Sequence, residues 1–388
     1  MMHLPMYKDI NKICLVILLS GVLACVDTYE PDISKYEDVI VVDGELSNLS
    51  GPYEVRLSTG FTFDEDSGAT ISGAQVKIIE STGLEILLEE IRDGVYQTVD
   101  SAFRGVPGNS YKLHIEYNNE VYESEMETLE PPVPIDRIYW EYEERENLGT
   151  DGIQLYLDTH DSLNSEYFYA WDYEETWKFT VPYMIPDKPE WNVCYRYSKS
   201  NDFIIGTSIR NTNNRIKRYP LLFIDNNTNR LFLHYSILVK QYALSEQAYQ
   251  FFKDLITLND NQGTLFDPIP YAIVGNLKNL SNRDKPVLGY FLVAGVSEKR
   301  IFIDNDDLPF EYIPVSGFES CYLALLDVPL GTDLQNDPAI IEMGNQGLFM
   351  FDLDTIRGEF LLLSFTNSAG CYNCTVNGDN HVPDFWDE

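Results

Sequence analysis

The feature that most limits the fold is a stretch of strict alternation, Tyr111-Lys112-Leu113-His114-Ile115-Glu116-Tyr117, followed by Asn118-Asn119 and then Glu120-Val121-Tyr122-Glu123-Ser124-Glu125-Met126. Alternating apolar and polar residues mark a strand with one buried face. Asparagine tolerates the left-handed backbone that a two-residue hairpin turn requires. A turn at Asn118-Asn119 sets Ile115 opposite Tyr122 and Tyr111 opposite Met126, which makes one face of the hairpin apolar and aromatic. Residues 39–42, 44–46, 53–57, 74–79 and 95–99 are further short strand candidates, with Gly, Asn, Asp and Ser between them. Strands at this spacing without helical periods predict a small β-sandwich over residues 39–130. Glu130-Pro131-Pro132-Val133-Pro134 then marks the domain boundary, because proline cannot donate into a ladder and stiffens the chain.

Within the first domain, Gly94-Val95-Tyr96, Gly105-Val106-Pro107-Gly108 and the alternation of Tyr111, Leu113 and Ile115 resemble the transthyretin-like regulatory domain of carboxypeptidases. The resemblance implies a transthyretin/Ig-like β-sandwich. Residues 131–388 are read as a larger β-rich domain, with strands at 135–140, 153–157, 167–173, 221–224, 230–239, 287–294, 300–303, 321–326 and 360–365. One amphipathic helix is expected near 245–258. Ser245 suits its N-cap, Glu246 suits the positive first turn, and Ala248, Phe251, Phe252, Leu255 and Ile256 share a face. Residues 259–263 end it. A lone helix among strands must cover a sheet face or plug the end of a sandwich. The expected fold class is therefore mainly β.

The N-terminus has the layout of a secretory signal: Lys8 and Lys12, a short apolar run from Ile13, small residues, then Cys25. The run is too short to span a bilayer, which needs about 20 apolar residues. Val22-Leu23-Ala24-Cys25 resembles a bacterial lipoprotein signal, which implies removal of residues 1–24, a lipid on Cys25 and a tether over 25–38. Val26-Asp27-Thr28-Tyr29-Glu30-Pro31-Asp32 resembles the acidic tag that sends lipoproteins of Bacteroidota to the cell surface. The whole chain carries 62 acidic against 27 basic residues, a formal net charge of −35. Such a polyanion repels phosphate backbones and anionic lipid headgroups, so no nucleic-acid partner is expected and membrane attachment falls to the lipid anchor.

Cys194, Cys321, Cys371 and Cys374 follow Cys25. Outside the cytoplasm they read first as two disulfides, with three pairings open; zinc and redox roles are weaker alternatives because Cys194 and Cys321 are isolated. No dinucleotide fingerprint, phosphate-cradling loop or Gly-x-Ser-x-Gly elbow is present. His114, His160, His234 and His381 lack metal-ligand spacing, and Asp304-Asn305-Asp306-Asp307 lacks the glycine and closing glutamate of an EF-hand. No catalytic residue, metal or cofactor is assigned. Carboxylate pairs cannot be picked out of so acidic a background, since such pairs are defined by separation in space. The stretch from Trp171 to Trp191, containing Pro182, Pro186 and Pro189, is the expected long functional loop. Trp171, Trp177, Tyr183 and Trp191 are accordingly the candidate ligand or partner contacts. The competing assignment of these rings to a strand core is the stronger of the two.

The second domain carries further motifs: Tyr235-Ser236-Ile237-Leu238-Val239-Lys240-Gln241-Tyr242-Ala243-Leu244-Ser245, Gly263-Thr264-Leu265-Phe266-Asp267-Pro268, Gly275-Asn276, Pro286-Val287-Leu288-Gly289-Tyr290-Phe291, and the tail from Cys371 and Cys374 through Pro383-Asp384-Phe385-Trp386. Together these resemble a family of Bacteroidota outer-membrane lipoproteins catalogued as a domain of unknown function. Its members are typically encoded beside a TonB-dependent receptor. The resemblance implies a non-enzymatic, surface-exposed lipoprotein that helps such a transporter capture a nutrient, and it supplies no catalytic residues. An envelope glycan-active enzyme and an adhesion or envelope-organising module are the alternatives.

Overall fold

The fold is given by a computed structural model, which describes residues 39–60, 68–147, 149–163, 165–200, 203–261, 273, 275–309, 318–356 and 359–386. The signal segment, Cys25, the tether and the Gly263–Pro268 motif lie outside the described residues.

The N-terminal strands are β1 (Ile40–Leu46), β2 (Glu54–Thr59), β3 (Gln75–Glu80), β4 (Glu85–Arg92), β5 (Val95–Thr98), β6 (Ser110–Tyr117), β7 (Glu120–Ser124) and β8 (Glu127–Thr128). Next come β9 (Ile135–Arg145), β10 (Thr150–His160), β11 (Phe168–Thr180), β12 (Val193–Lys199), β13 (Ile204–Thr207), β14 (Arg215–Asp225) and β15 (His234–Ala243), then helix α1 (Glu246–Asn261). The chain ends with β16 (Leu277–Asn279), β17 (Val287–Val293), β18 (Gly295–Asp304), β19 (Leu323–Pro329), helix α2 (Pro338–Asn345), β20 (Phe349–Ile356) and β21 (Phe360–Thr366). The protein is mainly β. Among the described residues no helix is long and apolar enough to cross a membrane.

The first sheet has ten strands, in the order β16-β7-β6-β3-β4-β5-β2-β1-β17 with β8 beside β6. It curls over one core that includes Val42, Val55, Leu57, Ile78, Leu113 and Ile115, so the walls of the expected sandwich are continuous. The hairpin forms as expected: Asn118 and Asn119 have φ of 48° and 61°, and Ile115 faces Tyr122. The Tyr111–Met126 pairing does not form. Ser124 Oγ accepts from the Leu113 N–H at 2.9 Å and the Glu125 N–H turns away to the Asn276 carbonyl at 2.8 Å. That slips the ladder by one residue, setting Glu127 opposite Tyr111 and leaving Met126 exposed.

The first sheet also differs from the expected division at residue 131. Strands β16 and β17, far down the chain, complete it: β17 runs parallel to β1 with Ile40 opposite Val287, and β16 pairs with β7. The proline run is not a free hinge either, since Gln241 Nε2 and Ser297 Oγ both donate to the Val133 carbonyl, at 2.8 and 2.6 Å. The remaining strands form a three-stranded sheet, β14-β10-β9, and a five-stranded sheet, β12-β11-β15-β18 with β13 beside β11. These share a core built around Leu155, Tyr169, Trp171, Tyr235 and Val239.

The C-terminal strands form the sheet β19-β21-β20, with α2 contributing Ile340 and Met343 to its small core. Helix α2 adds to the one helix expected from sequence. Asp337 caps it by accepting from the N–H groups of Ala339 and Ile340, and Pro338 takes the first helical position, where its missing donor costs nothing.

Candidate functional site

The site follows from strand alternation on β1. Val42 and Leu46 point into the curled sheet, so Val41, Asp43 and Glu45 point out of it. The register of β17 sets Leu288, Tyr290 and Leu292 beside them, and that of β2 sets Arg56 beside Asp43. The outer face of the sheet therefore runs from charged on the β2 side to apolar on the β17 side.

Helix α1 lies over the apolar side. Ser245 Oγ accepts from the Ala248 N–H at 3.1 Å, as the sequence suggests for its cap. The Phe251 and Phe252 rings lie 4.9 and 6.1 Å from that of Tyr290, and Phe203 bridges Phe252 and Tyr242 at 4.9 and 5.0 Å. Between the outer face of β1 and β17, the helix and Lys240 of β15 is a cleft of about 800 Å³, within the range of small-molecule sites. Past Phe251 and Tyr290 lies a second depression of about 580 Å³, rimmed by Glu246, Gln250 and Asp254.

The cleft floor is electrostatically loaded. Arg56 pairs with Glu54 at 2.6 Å and lies 3.7 Å from Asp43, while Lys240 lies 3.3 Å from Glu174 and 4.0 Å from Glu298. Beneath the lining, Tyr242 donates to Asp172 Oδ2 at 3.1 Å; the other oxygen, Oδ1, is buried without a partner among the described residues. Burial raises the Asp172 carboxyl above its ordinary range. Glu45 is solvent-exposed by surface area, and the cleft walls crowd its carboxyl. That enclosure, followed by the like charge of Asp172, pushes its carboxyl up to about 7 against the opposing pull of Lys240.

The contact residues expected from sequence sit elsewhere. Trp171 is fully buried, 4.5 Å from the Tyr219 ring, with its Nε1 donating to Gln241 Oε1 at 2.8 Å. Trp177 is also buried, and both lie on β11, the longest strand, so the expected loop from Trp171 is corrected to residues 181–192. The cause is the run of acids at Asp172, Glu174 and Glu175, which breaks the apolar alternation in sequence. In the sheet these acids are partnered from neighbouring strands and loops: Arg230 meets Glu175 at 2.9 Å and Lys199 meets Glu174 at 3.0 Å. Tyr183 and Trp191 are in the true loop, but their rings face Phe351 at 5.7 Å and Tyr372 at 6.2 Å. They dock the C-terminal sheet onto the body.

The cysteines pair as Cys194–Cys374 and Cys321–Cys371, two disulfides as expected, in a pairing the sequence leaves open. Sequence reasoning missed Asp43, Glu45, Lys240 and the role of Phe251 and Phe252 as a cleft wall. The available signal was the pair of acids Asp43 and Glu45, two residues apart in a strand whose other positions are apolar or glycine.

A curled β-sheet fused to a second β layer, with an amphipathic cleft at the seam, defines a mainly β protein whose candidate site is that cleft. The chain belongs to the family described as Domain of unknown function (DUF4249), whose model matches residues 26–300. No curated protein matches the chain. The family match ends within β18, so the C-terminal sheet and three of the four bridged cysteines lie beyond it.

Proposed function

We propose that the chain is a surface-exposed outer-membrane lipoprotein of Bacteroidota, held by lipid on Cys25, that serves as a non-enzymatic accessory of a TonB-dependent transporter by capturing a ligand. The observation that carries this reading is the cleft, whose aromatic wall and charged floor are fixed by four separate elements: β1, β17, α1 and β15. Preformed, mostly apolar clefts with a few placed polar groups suit small-molecule capture. The signal layout ending at Cys25 and the acidic tether support display on the membrane surface. A body tethered over the receptor mouth raises the local ligand concentration there without chemistry of its own. Deleting the gene tests this: uptake of one substrate is lost while receptor abundance stays normal. Normal uptake with a normal receptor overturns it.

One observation favours a second reading. Glu45, held near neutrality beside a second carboxyl, is tuned as a general acid would be. A glycan-active enzyme predicts turnover of envelope or dietary glycans that Glu45→Gln abolishes; binding without turnover rejects it.

A further inference from the structure

The charges of the cleft do not balance, and the imbalance says what kind of ligand fits. Both cations that reach the floor are already engaged: Arg56 by Glu54 and Asp43, Lys240 by Glu174 and Glu298. An anionic ligand would meet either one with its charge already offset by two carboxylates. Among the described residues Glu45 has no hydrogen bond and no ion pair, and Asp172 keeps one buried oxygen without a donor. The groups facing Glu45 are Asp43 on its own strand, Tyr53 and Arg56 from the β2 side, and Asp172, Lys240 and Tyr242 from the five-stranded sheet. Beside this carboxyl-rich floor stand Phe203, Phe251 and Phe252, rings whose faces attract cations and whose bulk covers apolar surface. The adjoining depression continues the same pairing of Phe251 with Glu246 and Asp254.

We propose that the cleft selects ligands that join an apolar body to a cationic amine, with Glu45 as the counter-charge. The inference rests on the cleft-binding reading above and narrows it. The apolar body lies along Phe251, Phe252 and Leu255, and the ammonium sits over Glu45, with the charges of Arg56 and Lys240 offset by the carboxylates they already pair with. Protons compete with the amine for Glu45, so the ligand binds more tightly at pH 8 than at pH 5.5.

Dansylcadaverine, an aromatic fluorophore on a primary alkylamine, is the probe, with its N-acetylated derivative as the neutral control. Titrated into the purified protein at pH 8, dansylcadaverine gives a saturable fluorescence change at least about tenfold tighter than the acetylated compound. Glu45→Gln removes roughly that tenfold preference, about 1.4 kcal/mol, and flattens the pH dependence. Phe252→Ala weakens both probes; Leu255→Ala replaces it if the larger truncation fails to fold. Equal affinities for the two probes, both lowered by Phe252→Ala or Leu255→Ala, overturn the amine preference and leave the cleft reading standing. Absence of saturable binding by either probe overturns both, as does binding that neither aromatic-wall variant weakens.

Discussion

At Glu45 stability and the proposed ligand contact pull apart. Its carboxyl ionises near pH 7 in the folded chain and near the ordinary glutamate value when unfolded. Between those two values the folded state holds more protons than the unfolded one, so this group lowers stability as pH rises through the window and costs most above it. Glu45→Gln removes the ionisation. The variant melts higher than the parent at pH 8 and equally at pH 4.5, as differential scanning calorimetry would show; a lower melting temperature at pH 8 would contradict the assignment. Gly295 is a different kind of constraint. A Cβ there would lie 2.1 Å from the Glu130 carbonyl oxygen and 2.8 Å from the Pro131 carbonyl carbon, so backbone at the seam has to move. Gly295→Ala costs about 1–3 kcal/mol in urea denaturation, and a neutral result would mean that the proline run is not held against β18.

At the level of elements, the hairpin turn is the clearest case of structure written locally. Asn118 and Asn119 both have positive φ, which glycine adopts freely and alanine resists. Asn119→Gly therefore folds with equal or slightly greater stability, whereas Asn119→Ala loses about 1 kcal/mol; equal effects would remove the turn from the account. Elements with one buried face and a partner close in sequence were legible in this way, as were the cap and apolar face of α1. Strand β4 was not, because it exposes all but Ile86 and Leu88 and its glutamates read as loop. Strand β11 was misread for the opposite reason: its acids look like surface but find partners only when distant strands assemble. The pairing of β1 with β17 joins residues more than two hundred positions apart, and no local pattern announces such a contact. The cleft depends on that pairing, which is why its fold class could be read from sequence while its site could not.

Across the whole molecule, the C-terminal unit is attached by covalent and noncovalent means together. Cys371 and Cys374 bridge to Cys321 and to Cys194 on β12, and the Tyr195 and Asp379 backbones exchange hydrogen bonds of 2.7 and 2.9 Å. Arg196 Nε adds a bond to the Asn377 carbonyl at 2.7 Å. Removing a native disulfide from a small secreted domain typically costs about 2–5 kcal/mol. Cys371→Ala with Cys374→Ala is therefore expected to lower the melting temperature and to make residues beyond β18 the first site of proteolysis. A cleavage pattern unchanged from the parent would show that the aromatic contacts of Tyr183 and Trp191 suffice. At this scale charge matters as well: a net charge of −35 opposes attachment through anionic headgroups, so the proposed membrane display needs the lipid on Cys25.

The central claim is that this body works beside a transporter, and the most direct measurement is affinity purification of the tagged protein from gently solubilised outer membrane, followed by mass spectrometry. The account predicts a stoichiometric TonB-dependent receptor together with a lipid-modified Cys25 peptide. A protein that emerges alone, or with Cys25 unmodified or its signal retained, would contradict it.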